Sequence, residues 1–204
     1  MAVLPGWRRE RARLLATWNQ KWSCSRPAAD ELKSLFRDRW VRFHSLPGSK
    51  RYADTEAEYE ILLDRHHTVL LELAGPAYGT TDALILTMSW SSSDRPARRA
   101  QAVVVTAPNA KHWASFVSDD SDPESVIWWH AYLSRLPLTE DGLDPLLRVV
   151  ADYRTGGVVI APDSLDWLYH PYDGGADVLL PSAARRNKLA AAHRDWLSPH
   201  PAGL

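Results

Sequence analysis

The chain has 204 residues, of which 45% are hydrophobic and 24% are charged, and its formal net charge is −1. These proportions suit one compact domain and exclude disorder over most of the chain. The near-zero charge argues against a nucleic-acid binder, and no apolar run is long enough to cross a bilayer. Arginines interrupt any signal-peptide core near the N-terminus, and Cys24 is the single cysteine, so we expect a cytoplasmic protein.

Two helices and a strand are predicted in the first quarter of the chain. Apolar side chains at helical spacing predict a helix over residues 5–22 and a shorter one over residues 28–38. The β-forming residues of Trp40–Phe43 predict a strand, and Leu46–Ser49 predicts a turn.

The clearest predicted element is a helix over residues 55–74. Thr55 followed by Glu58 fits a capping box, and apolar residues at positions i, i+3, i+4 and i+7 fill one face. Gly75 and Pro76 are typical of a helix end.

Strands predominate in the middle of the chain. Patterns of β-forming residues predict strands over Ala83–Trp90, Trp113–Ser118 and Val126–Leu133, and Ala102–Thr106 is interpreted as a further short strand. The acidic stretch Asp119–Glu124 is interpreted as a loop.

The last third of the chain begins with a helix and then forms a hairpin. Asp144-Pro145 predicts a helix start, and Val158–Ala161 a strand buried on both faces. The strands Trp167–Tyr172 and Ala176–Leu180 flank Asp173-Gly174-Gly175, which predicts a hairpin turn with positive φ angles. A last helix is predicted from Pro181 to about Trp196.

This order of elements predicts an α+β fold, a mainly antiparallel sheet with helices packed on one face or end. We expect residues 1–38 to form an N-terminal helical segment that packs on the domain, and residues 39–204 to form a single α+β domain.

Two segments carry most of the candidate chemistry. In Trp167–Asp177, His170 precedes Asp173 by three residues at a hairpin tip, a spacing that suits a general base with an orienting carboxylate. In Arg42–Tyr52, His44 and Arg51 flank a Pro-Gly turn that suits an anion. The structural alternatives, a hairpin whose tyrosines cover the sheet and an exposed basic turn, are the ones we favour because no strict motif is matched.

A third candidate is the strand face that carries Trp128, His130 and Tyr132. If that face is open, it forms an aromatic platform for a ligand or a partner. If helices cover it, it is core with a hydrogen-bonded histidine, which is the interpretation we favour. The sequence contains no H-x-x-x-H pattern and no cysteine pair, so we expect no metal, and nothing indicates a cofactor.

Three stretches together resemble a known group of proteins: RFHSLP with SKRY, WLYHPYDGGADV, and HRDWLSPHPAGL. They are similar to an uncharacterised bacterial family of domains of unknown function, from about residue 40 to the end. The resemblance implies a bacterial single-domain protein and transfers no catalytic residue. The compact, aromatic-rich layout is also similar in architecture to bacterial immunity proteins, which neutralise toxins by binding.

These observations favour a non-enzymatic, cytosolic protein-binding module, with an immunity-type protein that neutralises a toxin as the finer hypothesis. The chain contains ten tryptophans, and Trp, Tyr and Arg are the preferred interface anchors. The partner is expected to be another protein. The predicted binding residues are Trp128, His130, Tyr132, Tyr169, Tyr172, Arg42, His44 and Arg51.

Two alternatives stay open. One is a small hydrolase or transferase in which His170 is the general base, Asp173 orients it, and His44 and Arg51 hold an anionic group. The other is a sensor that binds a ligand in an aromatic pocket.

Overall fold

The computed structural model describes residues 5–23, 26–117 and 126–198. Its helices are α1 (Pro5–Lys21), α2 (Ala29–Leu35), α3 (Glu56–Ala74), α4 (Gln101–Thr106), α5 (Glu140–Ala151) and α6 (Ala183–Ala192). Its strands are β1 (Trp40–His44), β2 (Asp82–Ser91), β3 (Lys111–Val117), β4 (Trp128–Pro137), β5 (Val159–Ala161), β6 (Leu168–Tyr172) and β7 (Gly175–Leu179). Single 3₁₀ turns occur at Arg37–Arg39, Pro47–Ser49, Gly75–Ala77 and Arg194–Trp196.

The strands form one seven-stranded sheet in the order β1-β7-β6-β5-β2-β4-β3. Every neighbouring pair is antiparallel. The predicted α+β class and the antiparallel sheet are therefore confirmed.

Helices cover both faces of this sheet, whereas the sequence interpretation placed them on one face or end. The α1 face, which carries Leu84 and Leu168, packs against α1 and α2. The α3 face, which carries Ile85 and Tyr169, packs against α3, α5 and α6. The central strands are apolar on both sides, so each face needs a cover.

The N-terminal helices contribute directly to the α1 face. Leu14, Trp18 and Trp22 are almost fully buried, as is Leu32 of α2. They pack with sheet residues in one apolar cluster.

Helix α3 has the ends that its sequence predicts. The Thr55 hydroxyl accepts a hydrogen bond from the Glu58 amide at 3.3 Å, and Gly75 follows the last turn with φ +56°. These caps satisfy backbone groups that a helix end otherwise exposes.

One predicted element and one predicted helix start were wrong. Residues 102–106 lie in helix α4, where burial of Val103 against the α3 face overrides the β-propensity of three consecutive valines. Helix α5 begins at Glu140, five residues before the predicted first residue Pro145, because the Thr139 hydroxyl accepts from the Gly142 amide at 3.1 Å. Pro145 therefore lies inside that helix.

The hairpin between β6 and β7 is confirmed, but its turn differs from the prediction. Neither Gly174 nor Gly175 has a positive φ. A Cβ atom on Gly175 would lie 2.0 Å from the Phe43 carbonyl oxygen of β1. Close approach of a neighbouring strand, and not the turn, is what requires glycine there.

Other predictions have simple outcomes. Strand β5 is buried on both faces, as predicted. None of the helices in the described ranges combines the length and apolar composition that a membrane crossing requires. Cys24, the acidic stretch 119–124 and the terminal residues 199–204 lie outside the described residues.

Candidate functional site

The structure brings together the two segments that the sequence singled out. Arg42 of β1 and Asp177 of β7 are register partners, and their side chains form a two-point ion pair at 2.7 and 2.9 Å. The Asp177 side chain is only 3% exposed and that of Arg42 15%. Because both charges are buried and paired, the ion pair holds β1 and the hairpin in a fixed relative position.

A second ion pair fixes the tip of the hairpin. Arg51 donates to both carboxylate oxygens of Asp173, at 2.7 and 3.2 Å. The carboxylate is buried, while the arginine side chain is 60% exposed. Asp173 therefore holds Arg51 against the tip and leaves one side of the guanidinium open to solvent.

Three exposed side chains lie near this ion pair, and we call them the hairpin-tip surface: Arg51, Tyr52 and Tyr153. The Arg51 guanidinium carbon lies 5.5 Å from the Tyr52 ring centre. A hydrogen bond with the Asp173 carboxylate raises the pKa of Tyr52, and Tyr153 lies close enough to add to that shift. Tyr52 is 47% exposed and Tyr153 is 73% exposed.

Tyr153 occupies a backbone position that normally holds glycine. The Tyr153 amide donates to the Val150 carbonyl at 2.9 Å, and the Arg154 amide donates to the Val149 carbonyl at 3.1 Å. These two bonds form a Schellman motif at the end of α5, in which the left-handed residue is usually glycine. Tyr153 takes that conformation with φ +55°.

Tyr172 lies under the hairpin-tip surface and is largely buried. Its ring centre is 5.0 Å from the Arg42 guanidinium carbon. Burial raises its pKa to about 12, so its hydroxyl stays protonated and supports Arg42 without acting as an acid or base at neutral pH.

His170 and Asp173 have separate partners. The His170 Nδ1 atom lies 2.6 Å from the Val158 carbonyl oxygen and donates to it, while Asp173 is held by Arg51. The carboxylate that was to orient the imidazole is thus committed to a guanidinium. This arrangement gives no support to the predicted base-and-orienter pair.

His44 lies at the end of β1, on the same sheet face as His170. Register and strand spacing place their Cα atoms about 12 Å apart. Burial and the nearby Arg42 charge lower the pKa of His44, which favours the neutral imidazole. Its Nε2 atom is buried and has no hydrogen-bond partner among the described residues.

Tyr169 is removed from the set of surface anchors. It is 1% exposed, and its hydroxyl is hydrogen-bonded to Nδ1 of His66 in the core of the α3 face. Its neighbour Tyr172 lies on the opposite face because successive strand residues alternate.

Trp128, His130 and Tyr132 share one strand face as predicted, but β4 lies near the opposite edge of the sheet from the hairpin formed by β6 and β7. His130 is fully buried, with its ring nitrogens bonded to Ser91 and Ser115. The Tyr132 hydroxyl donates to the Ala97 carbonyl at 2.5 Å. This face is a largely covered polar cluster, fully buried at His130 and partly exposed at Trp128 and Tyr132, rather than an open platform.

Sequence reasoning missed Tyr153 and two other features. An exposed aromatic residue in the polar turn DYRTGG was the available signal for Tyr153. Trp90, which is 63% exposed and packs on Trp129, gave a weaker signal because it ends an apolar strand. No signal in the sequence indicated the polar partners of His130.

Comparison with known proteins bears on the family alone. No curated protein and no solved structure matches the chain significantly. The profile of one family, described as domain of unknown function (DUF3885), matches residues 28–201. The match confirms the resemblance to an uncharacterised domain family and begins twelve residues before the expected start, so it includes α2. The chain therefore belongs to the DUF3885 family.

Proposed function

We propose that this chain is a protein-binding module and that its partner contacts the hairpin-tip surface. The observation that carries the proposal is Tyr153, a tyrosine held in a left-handed conformation and largely exposed. A left-handed backbone costs an L-residue about 1–2 kcal/mol. Because the ring is exposed, its packing offsets little of this backbone free energy. A contact with another molecule is therefore the simplest reason for a tyrosine at this position.

The chemistry of the hairpin-tip surface suits a protein partner. Tyrosine and arginine are enriched among residues that dominate binding energy at protein interfaces. A tyrosine presents a large rigid ring with one polar end and few rotatable bonds, so little entropy is lost when it is fixed.

The surroundings of the surface make it rigid before any partner arrives. The buried pair of Arg42 and Asp177 joins the hairpin to β1, and Asp173 holds Arg51 in place. A surface that is already ordered avoids part of the entropy loss on association.

The finer proposal is that the chain is an immunity-type protein that neutralises a toxin by binding. Its support is architectural: a small α+β domain with a rigid aromatic surface. A cytosolic location belongs to the same proposal and is supported by the single cysteine, which has no partner for an internal disulfide.

At the hairpin tip, binding is favoured over a hydrolase or transferase that uses His170 and Asp173. That alternative needs Asp173 to orient His170, and Asp173 instead forms a two-point ion pair with Arg51. The exposed side of Arg51 suits contact with a partner better than support of an acid–base reaction.

The test is capture of the tagged full chain from host cells, with bound proteins quantified by mass spectrometry. We expect one stoichiometric protein partner, lost when Tyr52→Ala and Tyr153→Gly are combined. The matched control is Leu71→Ala, which removes an exposed side chain about 20 Å along α3 from Glu58.

Retention of the partner by the double variant would contradict the proposed surface. Equal loss in the Leu71→Ala control would also contradict that surface, whereas absence of any stoichiometric partner would contradict the protein-binding function.

A further inference from the structure

A cluster of polar side chains interrupts the α3 face where β2, β4 and β3 lie side by side. Cross-strand register aligns Thr87 with Tyr132 and His112, and aligns Ser89 with His130 and Ser115. Most of the other buried residues on this face are apolar. Polar groups placed together on a packed face call for a specific role.

An irregularity in β3 builds the central contact of this cluster. His112 and Ser115 are three residues apart, so in a regular strand their side chains would point to opposite faces. The register shifts between His112 and Ala114, which inserts Trp113 as an extra residue. The bulge places both side chains on the α3 face, with His112 Nε2 2.8 Å from Ser115 Oγ. Bulges often redirect side chains beside active sites.

The hydrogen bonds define a direction for the Ser115 proton. Ser91 donates its only hydroxyl proton to the Ser93 carbonyl at 2.9 Å, so His130 Nε2 donates to Ser91 Oγ, also at 2.9 Å. The other nitrogen of neutral His130, Nδ1, then accepts from the Ser115 hydroxyl at 2.8 Å. On the other side, the His112 Nε2 atom also lies within hydrogen-bond distance of Ser115 Oγ.

The environment keeps both imidazoles neutral. Burial lowers the pKa of His130 and of His112, and the Arg11 charge lowers that of His112 further. Ser115 thus has a neutral base within hydrogen-bond reach, and Ser91 orients that base. Nucleophile, base and orienting group are the parts that activate a serine.

A buried positive charge lies on the same face. Arg99 is half-buried and donates to the Thr87 hydroxyl at 3.1 Å and the Ala107 carbonyl at 2.9 Å. It pairs with no carboxylate in the described parts of the chain. A cation without a counter-ion favours a reaction in which negative charge develops nearby.

We propose that Ser115 is a nucleophile that accepts an acyl group from an activated ester, with His130 as its base. Attack forms the bond between Ser115 Oγ and the acyl carbon, and the hydroxyl proton moves to His130 Nδ1. Breaking the bond to the leaving alcohol transfers that proton from His130 to the alcohol oxygen. Water then hydrolyses the serine ester and restores the hydroxyl.

Half-burial of Ser115 and its position on β3 allow access from the open side of the sheet. Strand β3 is the last in the strand order, so it has a sheet neighbour on one side only among the described residues. His130 lies one strand further in and is fully buried, as suits a base that is shielded from water.

The test uses a biotinylated fluorophosphonate on the purified full chain, with peptide mapping of the adduct. The probe phosphonylates an activated serine as fluoride leaves. We expect labelling at Ser115 of the folded chain, none after Ser115→Ala, and a rate at least about 100-fold lower after His130→Gln, the range for loss of a general base. Ser92→Ala, which removes an exposed serine outside the cluster, should label at the wild-type rate.

A second variant keeps the test informative if His130→Gln does not fold. In Ser115→Cys, the thiol beside the imidazole should react with iodoacetamide faster than the more exposed thiol of Ser92→Cys, despite its greater burial. Absence of a Ser115 adduct, labelling that persists in urea, or slower alkylation of Ser115→Cys would each overturn the proposal.

Discussion

Replacing Tyr153 with glycine should make the protein more stable although it deletes a large side chain. The left-handed conformation at φ +55° costs tyrosine about 1–2 kcal/mol, and glycine adopts it freely. Glycine also gives the unfolded chain more entropy, which removes about 0.5–1 kcal/mol of that gain. The ring is 73% exposed, so its removal loses little packing. The expected net gain in the free energy of unfolding is about 0.5–1 kcal/mol.

Urea denaturation and thermal melting measure this gain. For a chain of this size, about 0.5–1 kcal/mol raises Tm by roughly 1–4 °C. Tyr153→Ala is the control, because it deletes the ring but keeps the Cβ atom and therefore the backbone cost. If Tyr153→Gly and Tyr153→Ala are both less stable than the wild type, the ring stabilises the fold and the argument from Tyr153 to a binding function fails. If Tyr153→Gly is no more stable than Tyr153→Ala, the left-handed backbone carries no cost that glycine relieves.

Three further predictions test the ion pair and the glycine that hold the hairpin in place, and a buried histidine in the core. Asp177→Ala leaves Arg42 buried without its carboxylate and should lower the free energy of unfolding by about 3–5 kcal/mol. Combining Arg42→Met with Asp177→Leu should lower it far less, because no unpaired charge stays buried. Equal losses of stability in urea titrations would contradict a buried ion pair. Gly175→Ala should lower the free energy of unfolding by about 3 kcal/mol or more, because the new Cβ atom would lie 2.0 Å from a backbone oxygen. Gly174→Ala should lower it much less, because its nearest neighbours lie 3.3 Å away. Similar Tm values for the two variants would refute the prediction. Burial lowers the pKa of His66 to about 3, against about 6.5 in the unfolded chain, so between these pH values only the unfolded chain binds the extra proton. The free energy of unfolding should therefore fall as the pH decreases through this range, by at most about 1.4 kcal/mol per pH unit from this group. Urea unfolding at pH 7 and 4.5 should show a smaller loss of stability for His66→Gln than for the wild type, and an identical loss would contradict the prediction.

Local signals predicted the elements whose ends are set by nearby residues. The cap at Thr55 and the glycine at Gly75 define α3, and the turn residues Asp173-Gly174-Gly175 between two strand-forming stretches mark the hairpin. These features depend on residues close in sequence, which is the information that a single chain provides directly.

Features that depend on packing between distant segments could not be predicted. Helix α4 forms where three valines favour a strand, because the α3 face needs Val103 as a cover. Likewise, whether an aromatic residue is an anchor depends on which face its strand buries, which placed Tyr169 in the core.

The candidate site was predicted in part. The sequence singled out Arg42 and Arg51 as binding residues, and the structure shows that Asp177 and Asp173 of the hairpin are their partners. Tyr153 enters the surface only because the end of α5 comes to the hairpin tip. The bulge at Trp113 has no sequence signature, so the contact between His112 and Ser115 could not be anticipated.

The measurement that tests the central claim most directly is the affinity of the purified partner for this chain by calorimetry. Tyr153→Gly is the decisive variant, because it should be at least as stable as the wild type. The account predicts that it binds the partner about 30-fold or more weakly, the loss expected for an interface hot spot of about 2 kcal/mol, while Leu71→Ala binds normally. Unchanged affinity of Tyr153→Gly would contradict the claim that the hairpin-tip surface is the binding site.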